Sequence, residues 1–400
     1  MYTSMFRKAM LGDTATLNLD FTTGTLDSRL TFTRAANTAT YINSSGYVTT
    51  ATANTPRFDY DPVTLAPRGL LIEGTAVNII KGSETIAGTE WSSSTPNFTV
   101  TLNTTDLVAP NNTNTATKLV FVSGYARAVQ TNITVVASTT YTLSYWIKST
   151  GVCNWKIYNA TGGTFIVENV AIPASAEWQR ITKTFTTPVG CTSIWAYVAD
   201  AAATGTYYVW GAQLELGSGA SSYIPTVASQ VTRNGDSCVM TGTNFSSWFA
   251  GATEGVLFAE YEKPRSQSGN AAHDFSAVGS RYTTGAGFIL YAGNSNYYPT
   301  TILWPTGGAI FGGGIATAIP SVTKQAGKWF GGNDVTNYSN GVVGTTVAGT
   351  GTITPAMLSF GANSATGTEA TRDWLNACIR QVKFYPTALS DAAIQTLTAL

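Results

Sequence analysis

The sequence predicts an all-β protein built from tandem β-sandwiches that follow an irregular N-terminal segment, with one short C-terminal helix. Three observations support this prediction. Apolar and polar residues alternate with a period of two in several stretches, 39 glycines interrupt these stretches at short intervals, and only 11% of residues are charged. Average soluble chains carry roughly 25% charge. At 400 residues the chain is too long for one ordinary core, so we expect two or three domains.

The first segment, residues 1–85, differs from the rest of the chain. Residues 56–62 and 67–70 contain prolines, which fix φ and restrain the preceding residue, and therefore predict extended or turn structure. The segment also has few apolar residues. We expect it to pack against a neighbouring subunit, a larger assembly or the following domain.

Residues 86–228 form the second predicted unit, with alternating strands at residues 141–148, 181–185, 194–198 and 207–215. Residues 229–400 form the third, which opens near Val231 and is dense in glycine at its middle. It ends in the predicted helix. Ser390 is the expected N-cap, Asp391 lies in the first turn, and the apolar stripe consists of Ala392, Ala393, Ile394 and Leu397.

Charge and cysteine content exclude several functions. The 22 basic and 22 acidic residues form no basic run, so we expect no nucleic-acid binding. Zero net charge leaves little electrostatic barrier to self-association, which favours a homo-oligomer. No cysteine belongs to a CxxC pair, and buried free thiols are favoured over a Cys153–Cys191 disulfide.

We expect no cofactor and no membrane insertion. The single histidine cannot complete a Cys/His zinc set. Calcium could use Asp200, Asn333 or Asp334, but their spacing does not select it. Residues 1–13 lack an apolar run of signal-peptide length, and no stretch is apolar for long enough to span a bilayer.

Three runs of sequence resemble known structural proteins. Residues 30–41, 56–60 (PRFDY) and 68–73 (RGLLIE) resemble a segment near the start of many bacteriophage tail-fibre and minor structural proteins, although Ala36 stands where those often have serine. Residues 210–217 and 222–226 are similar to the closing strand of the carbohydrate-binding-module-like jelly rolls that follow this segment. Residues 377–390 resemble the last strand and helix of a concanavalin A-like (laminin G-type) sandwich.

The resemblance implies a virion protein, made in the host bacterial cytoplasm, with three parts. Residues 1–85 would anchor it to other virion proteins, residues 86–228 would form the jelly roll, and residues 229–400 would form the concanavalin A-like sandwich. The sandwiches would bind host-surface glycans. A homotrimer would suit a fibre, but the sequence has no coiled-coil heptads to enforce one.

Two motifs are candidates for catalysis. Glu260 and Glu262 are two apart on a predicted strand and would share a face, and retaining glycan hydrolysis needs two carboxyl groups about 5 Å apart. Pro264 follows where the family motif would carry a third acid, so acids that are solvated or paired with Lys263 or Arg265 are favoured. His273 and Asp274 lie in an expected loop with no G-x-S-x-G elbow. We therefore expect no catalytic residue.

Glycan binding needs exposed rings that stack on sugars, with polar partners for hydroxyl groups. Tryptophans on alternating strands, namely Trp146, Trp178, Trp195 and Trp210, are interpreted as packing residues. The candidates for glycan contact are Tyr125, Arg127, Trp155, Tyr158, Tyr297 and Trp304.

The sequence thus favours a non-enzymatic virion structural protein of the fibre or adhesin type that binds host glycans. A capsid decoration or head-fibre protein is one alternative. A glycan depolymerase is another. A secreted bacterial glycan-binding protein is disfavoured because a signal peptide is missing.

Overall fold

A computed structural model gives the architecture of most of the chain. It describes residues 14–35, 39–93, 98–122, 126–201, 204–262, 273–277, 287–293, 298–304, 310–312, 315, 322–350, 353, 355–361 and 376–400.

The N-terminal segment consists of short strands joined by irregular stretches. Its elements are β1 (Leu17–Asp20), a 3-10 helix (Phe21–Thr23), β2 (Thr31–Thr33), β3 (Ala39–Ile42), β4 (Val48–Ala51), β5 (Phe58–Tyr60), β6 (Pro67–Ile72) and β7 (Ala76–Asn78).

The middle part of the chain forms ten strands. They are β8 (Ser92–Ser93), β9 (Phe98–Thr101), β10 (Thr117–Phe121), β11 (Ala126–Thr134), β12 (Thr140–Ser149), β13 (Cys153–Asn159), β14 (Thr164–Ile172), β15 (Ser175–Thr186), β16 (Ser193–Ala201) and β17 (Gly205–Leu216). The four strands that the alternating pattern predicts are among them as β12, β15, β16 and β17.

The C-terminal part carries the two α-helices found in the described residues. Its elements are β18 (Val231–Arg233), β19 (Ser237–Thr241), α1 (Gly242–Phe249), β20 (Gly255–Glu262), β21 (His273–Ala277), β22 (Gly287–Gly293), β23 (Tyr298–Trp304), β24 (Ile310–Phe311), β25 (Val322–Phe330), β26 (Asp334–Ser339), β27 (Val342–Val343), β28 (Met357–Gly361), β29 (Ala377–Tyr385) and α2 (Asp391–Thr398).

The C-terminal helix is confirmed and the first helix was not predicted. The Ser390 hydroxyl accepts a hydrogen bond from the backbone N–H of Ala393 at 3.3 Å, as an N-cap should. Helix α1 buries Phe245, Trp248 and Phe249, which have helical spacing, but it is only eight residues long and begins at a glycine.

The tandem β-sandwiches are confirmed. The middle sandwich packs sheet I, with strand order β15-β12-β17-β10-β9, against sheet II, with order β14-β13-β16-β11-β8. Its core lies between the two sheets and includes Leu143 and Tyr145 from sheet I and Ile157 and Val198 from sheet II, all of which are fully buried.

The large sandwich contains sheets III and IV. Sheet III has the order β27-β26-β25-β20-β29-β6-β5, with β1 also pairing with β29. Sheet IV has the order β2-β19-β28-β21-β22-β23-β24. Four strands of the N-terminal segment, β1, β2, β5 and β6, are therefore hydrogen-bonded into these two sheets.

The expected division at residue 85 consequently does not follow the sheets. Leu17, Leu19, Phe21, Leu70 and Ile72 all lie in the core of the large sandwich. The segment has too few apolar residues for a core of its own, so its strands bury them in the sheets of another domain. The sequence shows the shortage of apolar residues but not the identity of the distant partner strands.

Gly69, which lies within residues 68–73, allows strand β6 to approach strand β29 closely. Gly69 has a φ of +102°, and a Cβ there would lie 2.0 Å from the carbonyl oxygen of Ile379. Only glycine permits both the backbone conformation and the contact.

A buried ionic network joins the three parts of the chain. It consists of Arg34, Arg57 and Glu73 from the N-terminal segment and Arg233 and Asp236 from the start of the large sandwich, and all five side chains are almost completely buried. Arg57 binds both carboxylates: Nη1 lies 2.8 Å from Oε2 of Glu73, and Nη2 contacts Oδ2 of Asp236. Burial alone would lower the pKa of Arg57, but the charges of Asp236 and Glu73 outweigh it and raise the pKa above its usual value.

The middle sandwich is tied to this network through Ser222. The Ser222 hydroxyl donates to Glu73 at 2.6 Å and its backbone N–H donates to the same carboxylate at 2.7 Å. Nearby, the β3–β4 hairpin lies on the outer face of sheet I, where Val48 packs with Trp146, Trp210 and Tyr223. The hairpin and the network therefore hold the two sandwiches together.

Candidate functional site

Strand β13 sends its side chains alternately to the core and to the outer face of sheet II. Trp155 and Ile157 point into the core, with Trp155 only 3% exposed. Lys156 and Tyr158 belong to the opposite face. The prediction that Trp155 stacks on a sugar is therefore wrong, because its indole is packed among apolar side chains.

Tyr158 is the centre of a row of three rings on the outer face of sheet II. In the strand register Tyr158 lies opposite Phe165 of β14 on one side and Trp195 of β16 on the other. The ring centroids of Tyr158 and Phe165 are 5.1 Å apart, as are those of Tyr158 and Trp195. Phe165 is 40% exposed, and the other two rings are half-buried. We call Phe165, Tyr158 and Trp195 the aromatic row.

The rings of the aromatic row are not coplanar. The planes of Tyr158 and Phe165 meet at 67°, and those of Tyr158 and Trp195 at 43°. The row therefore presents ring faces and edges at several angles and is not one flat platform. The indole N–H of Trp195 donates to Oδ1 of Asn132 at 3.4 Å, which helps to fix the orientation of this ring.

A buried ion pair lies beside the aromatic row. Nζ of Lys156 is 3.1 Å from Oδ1 of Asp200, and both side chains are less than 5% exposed. The same ammonium lies 5.7 Å from the ring centroid of Phe165, so the lysine also contacts the row. Burial raises the pKa of the adjacent Cys153 thiol to about 12, with the charge of Asp200 adding to the shift.

Arg127, a predicted glycan contact, also lies on this face. Its guanidinium carbon is 5.9 Å from the ring centroid of Tyr197, and in the register it is opposite Asp200. The structure thus brings Tyr158 and Arg127 to one face, together with Phe165 and Trp195, which sequence reasoning missed. The cross-strand register, which no local pattern reveals, brings these residues together.

The other predicted glycan contacts cannot be placed. Tyr125 and Tyr297 lie outside the described residues. Trp304 ends strand β23, but its side chain is outside the described part of the chain.

The acidic pair on β20 is occupied by arginines from other strands. Nε of Arg380 lies 2.8 Å from Oε1 of Glu260, and Nε of Arg68 lies 3.1 Å from Oε1 of Glu262. Burial raises the pKa of Glu262, although the charges of Arg68 and Arg380 oppose the shift. Lys263 and Arg265, the expected partners, lie outside the described residues.

Several further expectations can be compared with the structure. His273 begins strand β21 and is not in a loop, so that expectation was wrong; its side chain is outside the described part. All four cysteines are buried and free, which confirms the expectation for Cys153 and Cys191. The described residues contain no group of three or more His, Cys, Asp or Glu side chains arranged to hold a metal ion. Within the same residues, neither helix has the length and apolar character needed to cross a membrane.

Comparisons with known proteins give distant likenesses only. No protein-family model matches the sequence, and no curated protein matches it. Among solved structures, the chain is similar to the CBM40 of a Ruminococcus gnavus IT-sialidase bound to α2,6 sialyllactose, at 16% identity and a TM-score of 0.29, over 37% of this chain and 84% of that one.

Two further likenesses span more of the chain. The tandem CBM22-1–CBM22-2 of Paenibacillus barcinonensis Xyn10C matches at 9% identity and a TM-score of 0.28, over 79% of this chain and 99% of that one. The baseplate tripod of bacteriophage Tuc2009 matches at 10% identity and a TM-score of 0.23, over 82% and 100%. At such TM-scores none of these likenesses bears on what this chain binds.

Proposed function

We propose that this chain is a non-enzymatic structural protein of a bacteriophage virion, of the fibre or adhesin type, and that its middle sandwich binds host-surface glycans. The observation that carries the proposal is the aromatic row, which spans three adjacent strands on the outer face of sheet II beside the buried Lys156–Asp200 pair. Rings supply apolar faces for sugar C–H groups, and charged or amide groups nearby supply partners for hydroxyls.

The two sheets of the middle sandwich allow an internal comparison. Sheet I also carries outer aromatic residues, Trp146 and Trp210, but the β3–β4 hairpin covers them with Val48. The aromatic row on sheet II keeps exposed ring surface, with Phe165 at 40%. A cluster of exposed rings is characteristic of a binding surface, whereas single exposed apolar side chains are ordinary.

The ion pairs that arginines form with Glu260 and Glu262 support a non-enzymatic function. An acid that donates a proton to a leaving group must be available to it, whereas these carboxylates each form an ion pair.

A fibre does not require tight binding at one site, because many copies on one particle multiply avidity.

The virion assignment is supported by the resemblance of residues 30–41, 56–60 and 68–73 to phage structural proteins. Three residues of those runs, Arg34, Arg57 and Glu73, belong to the ionic network that fixes the sandwiches to each other. A rigid arrangement suits a protein that projects a binding surface from a particle. Mass spectrometry and antibody labelling of purified particles of the encoding phage test this assignment, and a chain missing from the particles would contradict it.

Glycan binding is tested by titrating the chain with capsular and lipopolysaccharide fragments of the host in a calorimeter. Trp195→Ala should weaken binding roughly tenfold or more, since losing a stacked ring costs about 1.4 kcal/mol or more. The matched control is Tyr208→Ala, which removes a half-buried ring from sheet I that donates to Asp106 at 3.1 Å. Equal binding by both variants would overturn the site, and release of reducing ends by the wild-type chain would overturn the non-enzymatic assignment.

A further inference from the structure

A second candidate site lies between the N-terminal segment and the middle sandwich, on the opposite side of that sandwich from the aromatic row. A groove of about 760 Å³ opens there, and its principal lining residues are Tyr47, Asp61, Arg68, Val108, Trp178 and Arg180. Its volume falls within the roughly 300–1,000 Å³ of small-molecule sites.

The sandwich wall of the groove has a fixed aromatic ring and a fixed cation. The indole N–H of Trp178 donates to the carbonyl oxygen of Val108 at 3.0 Å, which holds the half-buried ring in place. The Arg180 guanidinium lies 4.4 Å from the ring centroid of Trp146, and its Nη2 donates to Oγ of Ser144 at 3.0 Å. Both groups are therefore oriented before any ligand arrives.

The wall from the N-terminal segment presents an oriented carboxylate. Oδ1 of Asp61 accepts from the backbone N–H groups of Thr64 at 2.8 Å and Val63 at 2.9 Å, while Arg68 donates to Oδ2 at 2.8 Å. The N–H of Thr64, joined by that of Val63, lowers the pKa of Asp61 despite its partial burial, so this acceptor stays ionised. Tyr47, half-buried at the β3–β4 turn, adds a second ring.

The charges of the groove favour an uncharged ligand. Asp59, Asp61 and Glu177 face Arg68 and Arg180, so cations and anions are nearly balanced. A polyanion or polycation would meet like charges on one wall or the other, whereas a hydroxyl group is neutral and can donate to a carboxylate.

The alternation of side chains along β15 favours a saccharide over an added peptide strand as the ligand of the groove. Strand β15 is at the edge of sheet I, but Trp178, Arg180 and Thr182 share one face of it. The groove thus runs mainly over the face of the sheet, away from the backbone groups that an added strand would pair with.

We propose that this groove is a second saccharide site, which takes a short neutral oligosaccharide between Trp178 and Tyr47 with its hydroxyls donating to Asp61 and Glu177. This proposal does not depend on the aromatic row. Because the walls come from different parts of the chain, a bound saccharide would also bridge the N-terminal segment and the middle sandwich.

The test uses the full chain labelled with 5-fluorotryptophan, whose ¹⁹F resonances are assigned by single Trp→Phe variants. Neutral trisaccharides of glucose, N-acetylglucosamine, mannose and galactose are titrated up to millimolar concentration. At least one should shift the Trp178 resonance saturably. Glu177→Ala, which changes an exposed residue of the groove, should weaken that shift several-fold and leave Trp195 unaffected.

The two candidate sites can fail separately in this experiment. If Trp178 shifts while Trp195 does not, the groove proposal stands independently of the aromatic row. If no trisaccharide shifts Trp178, or if Glu177→Ala and a Tyr47→Ala variant leave its titration unchanged, the groove proposal is overturned. A Trp178 shift produced by short extended peptides and by no saccharide would also overturn it.

Discussion

Replacing Asp236 with asparagine removes one of the two carboxylates that face three guanidinium groups in the ionic network. Asp236 is fully buried and accepts from Arg34 at 3.0 Å, from Arg57, and from the backbone N–H of Glu73 at 2.9 Å. In the variant, Glu73 alone would balance three buried cations. Removing one partner of a buried ion pair costs about 3–5 kcal/mol, because the remaining charge stays in a dry environment.

Asp106→Asn is the matched control for this prediction. Asp106 lies 2.5 Å from Nζ of Lys118, at least as close as the contacts of Asp236 with Arg34, but the two side chains are 41% and 28% exposed. Exposed ion pairs contribute less than about 1 kcal/mol. The comparison therefore contrasts a buried carboxylate bound by two guanidinium groups with an exposed carboxylate bound by one ammonium group.

The assay is urea unfolding followed by tryptophan fluorescence and far-UV circular dichroism. Asp236→Asn should lower the midpoint strongly and Asp106→Asn only slightly, with free energies of unfolding compared at similar slopes. If Asp236→Asn and Asp106→Asn lower the free energy of unfolding by amounts that agree within about 1 kcal/mol, the reasoning is refuted. Such a result would mean that the network is hydrated or dispensable.

Two further predictions concern single positions. Burial raises the pKa of Glu84 above the usual glutamate value, while Tyr223 donates to it at 3.2 Å. The folded state therefore favours the protonated form of Glu84. The stability that this form contributes is lost as the pH rises from the usual glutamate pKa through the raised one. Glu84→Gln should accordingly melt at a higher temperature than wild type at pH 8 and at a similar one near pH 4, and a pH-independent difference would contradict this. Gly69→Ala should cost about 3 kcal/mol or more in urea unfolding. Gly217→Ala is the control, because Gly217 has a φ of +106° and no atom lies within 4 Å of the added Cβ. This variant should lose less free energy of unfolding, and equal losses would show that the contact with Ile379 is unimportant.

Local sequence patterns were sufficient for the sandwiches but not for the connections between them. Two-residue alternation identified four long strands of the middle sandwich, β12, β15, β16 and β17, and Ser390 marked the C-terminal helix. The pairing of Leu17 with Phe384 joins residues that no local period connects. The ionic network is hidden for the same reason, because Arg34 and Asp236 are 202 residues apart.

In the candidate site, too, local sequence patterns could not identify which residues of a strand face a ligand. Trp155 and Tyr158 are three residues apart, so regular alternation would place them on opposite faces of β13, and only one could contact a ligand. Strand parity could have separated them. It could not have chosen Tyr158, because the buried face is set by the packing of sheet II on sheet I. Phe165 and Trp195 gain their significance from the register alone.

Hydroxyl-radical footprinting of the chain, with and without the host glycan that it binds, tests the central claim most directly. We expect oxidation of Phe165, Tyr158 and Trp195 to fall several-fold when glycan is bound, while Tyr208 on the other sheet is oxidised at an unchanged rate. Saturating glycan that leaves all three rings of the aromatic row as reactive as before would contradict the account.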